Sequence, residues 1–186
     1  KVGLATNRGN PGILLEHFCK HHPAASKKVT APLSDVSFHP IPLGSPPGRT
    51  YGNGYIVIGD AASQVKPTTG GGVVFGLTCS RIGGIVAAEA VQKNDFSEGF
   101  LSKYQRLWKE KLRTEFTLGR LTRRILNNLS DRAIDRIFLI GEKFHVEDSF
   151  EKISEIDFEE KMIKDSIRKP NVAFALVCSL LSCLLP

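Results

Sequence analysis

Apolar positions along the chain change period several times, and each change marks an element. Asn10-Pro11 has the form of a helix N-cap followed by proline at the first helical position, predicting a helix to about His22 that Pro23 stops. Five prolines between residues 29 and 50 exclude helix there and leave extended segments, with a strand-like Val36–Leu43 and a tight loop after it. Gly52-Asn53-Gly54 is a turn signal, and the apolar run Tyr55 to Ile58 ends at Gly59-Asp60 as a buried parallel strand would. From Gly72 to about Lys93 the pattern is helical, with Val73, Leu77, Ser80, Gly84 and Ala87/Ala88 keeping one side small, which is expected to let the helix lie close against a sheet. A long helical pattern follows from Ser97 to about Asn128, in which Leu101, Tyr104, Trp108, Leu112 and Phe116 recur at threes and fours as a core face. Gly119 is a candidate break in it, and Leu129-Ser130-Asp131 predicts a new cap before Ala133–Ile140. Residues 142–169 mix charges and read as partly helical, and no repeat or low-complexity tract occurs.

Composition narrows the class. At 186 residues and 41% hydrophobic, the chain holds one ordinary domain or pieces of two with enough apolar residues for a core, so wholesale disorder is excluded. Four cysteines without a Cys-x-x-Cys pair are too sparse for a disulfide scaffold and predict a reducing, intracellular setting. The first residues, KVGLATNRGN, lack a starting Met and the order of a signal peptide, and read as a chain entered midway. The apolar tail Val172 to Leu185 is 14 residues long, short of the ~20 that span a bilayer. It is expected either to dock on its own domain or to make peripheral membrane contact.

Charge matters once it is localised. Eight basic and two acidic residues lie between Lys103 and Arg124, which accounts for the whole net charge of +6. Such a segment can meet phosphates, an anionic membrane or a charged substrate, whereas the plainer reading is a solvated helix face. Nucleic acid is not expected as a partner, because aromatic residues do not alternate with the basic ones. His17 and His21, with Cys19 and His22 nearby, share a helix face, but no further His or Cys group completes a ligand set, so no metal is expected. Cys79 reads as a small packed residue.

Residues 54–77, GYIVIGDAASQVKPTTGGGVVFGL, concentrate the chemistry: a strand, a Gly-Asp turn, a glycine-rich loop and a helix start. Gly70, Gly71 and Gly72 leave backbone N–H groups uncovered, the helix start adds partial positive charge, and Asp60 is an acceptor placed for sugar or sugar-alcohol hydroxyls. No P-loop Lys-Ser/Thr follows these glycines and no Gly-x-Gly-x-x-Gly occurs, so neither a P-loop nor the first turn of a Rossmann domain is present. A tight glycine loop inside an unrelated α/β fold is the plain alternative.

GDAA followed by KPTTGGG and a helix resembles the second flavin-binding motif of the flavoproteins related to p-hydroxybenzoate hydroxylase, and among them the geranylgeranyl reductase family most. IPLG at 41–44 and LxxYxxxW at 101–108 are similar to the flanking sheet and helix, so the resemblance covers roughly residues 1–140. It implies an α/β (α+β) fragment: the C-terminal part of a p-hydroxybenzoate hydroxylase-like FAD-binding fold followed by a helical region. The implied divisions are 1–50, the end of a substrate-binding sheet region; 51–93, the second FAD-binding segment; and 94–186, the C-terminal helices. It further implies Asp60 on the FAD ribitol and Gly70, Gly71, Gly72 and Val73 at the isoalloxazine, where N–H groups would stabilise developing negative charge. Ser63 stands where the family commonly has Gly and is expected to be tolerated.

The activity this implies is an FAD-dependent reductase that saturates C=C bonds of geranylgeranyl chains in membrane lipid biosynthesis. NAD(P)H or ferredoxin would be the electron donor and the location cytoplasmic, with or without peripheral membrane contact. The alternatives are a flavin monooxygenase or hydroxylase of the same fold, and a non-catalytic membrane-binding module. Trp108 and Tyr104 are candidates for a substrate wall as well as for the core. No catalytic proton donor is identified. The family's N-terminal Gly-x-Gly-x-x-Gly, its cysteine-containing catalytic segment and its Tyr-x-Trp-x-Phe-Pro stretch are not in these residues, so the 186 residues alone are expected to bind FAD weakly or not at all. A fluorescence titration showing tight binding by the isolated chain would sink that expectation.

Overall fold

The computed structural model describes residues 2–30, 35–44, 46–146, 148, 158, 160, 163 and 166–184, and the chain divides into two compact units, Lys1–Pro40 and Ile41–Pro186. In the first unit, helix α1 spans Pro11–His21 and α2 Ala25–Lys28. Asn10 caps α1, its Oδ1 accepting from the amides of Gly12 at 2.8 Å and Ile13 at 3.2 Å, with Pro11 opening the helix as its sequence requires. Leu15 and Cys19, one turn apart, are its buried residues. The rings of His17 and His21 stack with centroids 4.3 Å apart, and no group of three or more potential metal ligands forms among the described residues. Val36–Leu43, expected to be strand-like, forms no strand, and its end turns tightly, the Leu43 amide donating to the Ile41 carbonyl at 2.9 Å. Pro40 and Pro42 lack the N–H groups that a ladder would use.

The second unit begins with a hairpin. Strands β1 (Tyr51–Gly52) and β2 (Tyr55–Ile56) pair antiparallel, Tyr51 opposite Ile56, around Asn53-Gly54 with Gly54 at φ +77°. The expected buried parallel strand at Tyr55–Ile58 is therefore corrected. An Asn-Gly turn folds the chain straight back on the preceding residues, which supplies the nearest ladder partner. A 3₁₀ turn at Gly59–Ala62 leads through a loop to α3 (Val73–Lys93), then α4 (Glu98–Asn127), α5 (Asp131–Lys143) and α6 (Pro170–Leu184). The described residues are mainly helical with this two-stranded sheet, consistent with a fragment of the expected fold.

Helices α3 and α4 make the core. Phe75, Cys79, Val86 and Ala90 of α3 meet Leu101, Tyr104, Trp108, Leu112 and Phe116 of α4. Phe75 and Trp108 each approach Phe116 edge-on, at 5.3 and 5.9 Å between centroids. Gly83 lets α3 lie on the hairpin: a Cβ there would stand 2.7 Å from Ile58 Cδ1 and 3.0 Å from Ile56 Cδ1. The side of α3 expected to be small and to lie on a sheet is not the one seated there: Ser80, Gly84, Ala87 and Ala88 are exposed, and Gly83 alone makes the close approach. By length and composition alone α3 could cross a membrane. Ser97 caps α4 through the Phe100 amide at 3.3 Å, and α4 runs unbroken through Gly119, which is buried. Packing there overrides the ~1 kcal/mol that glycine costs a helix interior. Ser130 caps α5 through the Ala133 amide at 3.2 Å, as expected. The predicted helical stretch 142–169 lies mostly outside the described residues. The apolar tail forms α6 on α5, tied by Asn171 Nδ2 donating to the Phe144 carbonyl at 3.1 Å, and leaves Phe174, Leu176 and Val177 exposed.

Burial pushes the Cys79 thiol up to about 12, with a hydrogen bond to Tyr104 opposing, and raises the Tyr104 hydroxyl as well, with a hydrogen bond to Gln64 opposing. The folded state therefore keeps protons that the unfolded chain releases from a thiol near ~8.5 and a phenol near ~10. Stability from this source is complete below the unfolded values and is lost as pH rises through the folded ones. Denaturant midpoints are expected to hold level up to about pH 8 and to fall above about pH 9, with a smaller fall in Cys79→Ala. An unchanged fall in that variant would show that the thiol is not its source.

Candidate functional site

The Gly-Asp turn is fixed from inside. Gly59 takes φ +72°, and the fully buried Gln64 reaches back to it. The Gly59 amide donates to Gln64 Oε1 at 2.8 Å, and the Gln64 amide donates to the Gly59 carbonyl at 3.0 Å. Gln64 Nε2 in turn donates to the Tyr104 hydroxyl at 3.0 Å, and that hydroxyl donates to the Val57 carbonyl at 3.1 Å. Asp60 thus emerges, exposed, from a turn whose strand end and loop start are both held by one tyrosine of α4. Ser63 closes the turn in the left-handed region at φ +51°, its amide donating to the Asp60 carbonyl at 2.9 Å. Glycine adopts that conformation without strain, which gives a physical reason for a glycine-favouring position.

The loop beyond it closes on itself. The Gly70 amide donates to the Lys66 carbonyl at 2.8 Å and the Lys66 amide to the Gly71 carbonyl at 2.9 Å, with Gly70 at φ +75°. Arg123 of α4 donates from its guanidinium to the Pro67 carbonyl at 3.1 Å, and Ile41 and Leu43 cover Gly70, where a Cβ would stand 3.1 Å from Ile41 Cγ2. The Asp60 carboxylate lies against Gly72: a Cβ at Gly72 would be 2.8 Å from Asp60 Oδ1 and 3.2 Å from Val65 Cγ1. Gly72 opens α3 without a side-chain cap, Gly71 is exposed, and Val73 is 75% exposed.

Bare backbone, uncapped N–H donors and a carboxylate acceptor therefore meet at one exposed place. The helix start alone would favour an anion. With Asp60 beside it, the site favours a neutral group that offers hydroxyl donors to the carboxylate and carbonyl or ring acceptors to the amides. A ribitol chain and the pyrimidine edge of a flavin carry these groups, so the residues present fit FAD. Asp60, Gly70, Gly71, Gly72 and Val73, expected together from the sequence, lie in this one segment. Tyr104 and Trp108 lie in the core at 0% and 2% exposure, their polar atoms taken by Val57 and Gln64 and by Thr50, respectively. The sequence reading missed Gln64 and Arg123. Gln64 follows the motif with no pattern to mark it, and Arg123 was counted only as charge.

Ser63→Gly is expected to raise stability by roughly 0.5–1 kcal/mol by relieving the left-handed backbone, read as a higher urea midpoint. A lower midpoint would mean that the serine side chain holds the turn.

No family model matches the chain. It is 37% identical over 136 residues to digeranylgeranylglycerophospholipid reductase 1 of Methanopyrus kandleri, covering 69% of this chain and 34% of that protein. It is also 37% identical over 124 residues to digeranylgeranylglycerophospholipid reductase of Methanocaldococcus jannaschii, covering 66% of this chain and 32% of that protein. The chain spans about a third of the length of these curated relatives. The crystal structure of a geranylgeranyl bacteriochlorophyll reductase-like protein from Thermoplasma acidophilum matches 91% of this chain and 40% of its own with a TM-score of 0.61 at 22% identity, a likeness of fold. Over its aligned residues, the chain belongs to the geranylgeranyl reductase family.

Proposed function

We propose that the chain is the second flavin-binding segment and helical C-terminal region of an FAD-dependent reductase that saturates C=C bonds of geranylgeranyl chains in membrane lipid biosynthesis. One observation carries the reading: the Asp60 carboxylate packs beside the uncapped start of α3 at the end of a glycine loop. Asp60 would hold ribitol hydroxyls, and the amides of Gly72 and Val73 would face the pyrimidine edge of the ring. The Gly70 and Gly71 amides, expected to be uncovered, donate instead to the Lys66 carbonyl and to Thr69 Oγ1 and shape the loop beside it. The flavin, when bound, supplies hydride transfer, and this chain supplies placement and electrostatics. The relatives' names support an isoprenoid lipid as substrate class. The reductant in this reading is NAD(P)H or ferredoxin.

The domain assignment follows from the same reading. Residues 1–50 end a substrate-binding sheet region, 51–93 hold the flavin and 94–186 form the C-terminal helices. A p-hydroxybenzoate hydroxylase-like fold accounts for the strand, Gly-Asp turn, loop and helix order. The proposed location is cytoplasmic, with peripheral membrane contact through which a lipid substrate is reached.

The test is the visible absorption spectrum of the complete gene product, purified without added cofactor, before and after dithionite. Flavin bands that bleach are expected, and Asp60→Ala should lower flavin occupancy about tenfold, the loss of one or two hydrogen bonds to a charged acceptor. A colourless protein that takes up no added FAD overturns the reading.

A further inference from the structure

Helix α4 carries its surplus charge on one flank. Arg106, Lys109, Arg113 and Arg120 follow one another at intervals of three, four and seven, which stacks them along one side of a helix. With Pro46 from the segment before β1 and the edges of Trp108 and Phe116, they line an open groove of about 770 Å³. Glu110 is the one carboxylate on its wall. Arg49 and Lys103 pair with Glu98 and Glu89, respectively. Arg106, Lys109 and Arg113 enter no ion pair among the described residues, and Lys109 Nζ lies over the Trp108 ring at 5.7 Å.

Like charges one turn apart destabilise a helix, and the groove concentrates them beside an apolar edge. Outside residues 103–124 the chain's charges balance. Guanidinium groups offer paired donors matched to tetrahedral oxyanions, and the apolar edge suits a substituent next to the anion. We infer that this groove binds the phosphate group of a phosphate ester, with Arg106, Lys109 and Arg113 as its ligands. The site shares no residue with the Asp60 turn or the glycine loop, so the inference stands without the flavin assignment, and its failure would leave that assignment untouched.

The phosphate can belong to a soluble ester or to a lipid headgroup, and the experiment separates them. Calorimetric titrations of the full chain with inorganic pyrophosphate and with glycerol 1-phosphate are set beside sedimentation with phosphatidylcholine vesicles, with and without phosphatidylglycerol. Trp108, the sole tryptophan, reports occupancy by its emission. Arg106→Gln/Arg113→Gln is compared with Lys27→Gln/Lys28→Gln, which removes the same charge from α2. All four side chains are exposed, so both variants should give the wild-type circular dichroism spectrum.

Saturable binding is expected, weakened about tenfold or more in the α4 variant and unchanged in the α2 variant, since charge-assisted contacts are lost only in the first. Binding of glycerol 1-phosphate, with pyrophosphate as a competitor, assigns the site to a free phosphate ester; binding of pyrophosphate without the ester overturns the inference. Recovery only with phosphatidylglycerol vesicles, abolished in the α4 variant, assigns it to a lipid headgroup. No binding in either format, or equal weakening in both variants, overturns the inference.

Discussion

The Tyr104 hydroxyl is the point on which the rest of the site depends. It is fully buried, and a buried hydroxyl left without partners costs about 1–3 kcal/mol. Donating to the Val57 carbonyl and accepting from Gln64, it joins the end of β2 to the residue that grips Gly59. The position of Asp60 is thereby set from a helix more than forty residues away. Helix α4 repeats this arrangement along its length. Gln105 and Trp108 hold Thr50 before the hairpin, Tyr104 holds the turn, and Arg123 holds Pro67 in the loop. Each of these side chains sets its stem or ring against the protein and uses its polar end to fix irregular backbone that has no ladder of its own.

What the sequence made legible was what short-range chemistry determines. Whereas the side of α3 expected to be small faces solvent and the approach to the hairpin is made at Gly83, the caps at Asn10 and Ser130 and the apolar stripe of α4 follow from capping and periodicity, and the structure has them in place. The glycine loop was legible for the same reason, because a positive φ at Gly70 is a local demand. Strand pairing was not. Whether Tyr55–Ile58 lies parallel or antiparallel depends on which backbone is adjacent, and four apolar residues in a row carry no information about that. Gly119 misled in the opposite direction, since its intrinsic weakness in a helix yields to burial.

Periodicity also assigns a ring to a face without telling what its polar atom does. Tyr104 and Trp108 belonged to the core stripe from the start, but the partners of their O–H and N–H groups come from segments forty to sixty residues distant. The same limit hid Gln64 and Arg123. A glutamine after a motif and an arginine in a basic run look like surface residues until the fold brings the Gly59 amide and the Pro67 carbonyl to them.

The charge on α4 divides into two kinds once these partners are known. Lys103 is taken up by Glu89 and Arg123 by the loop, so these cations serve the fold. Arg106, Lys109 and Arg113 enter no ion pair among the described residues and give the groove its positive potential. The opposite balance holds at the start of α3, where the Asp60 carboxylate offsets the partial positive charge of the helix end. The start of α3 therefore favours the neutral, hydroxyl- and acceptor-bearing part of a ligand, while the α4 groove favours an anionic group. Ligand groups of different charge are sorted between the two places by this division before any contact of shape is made.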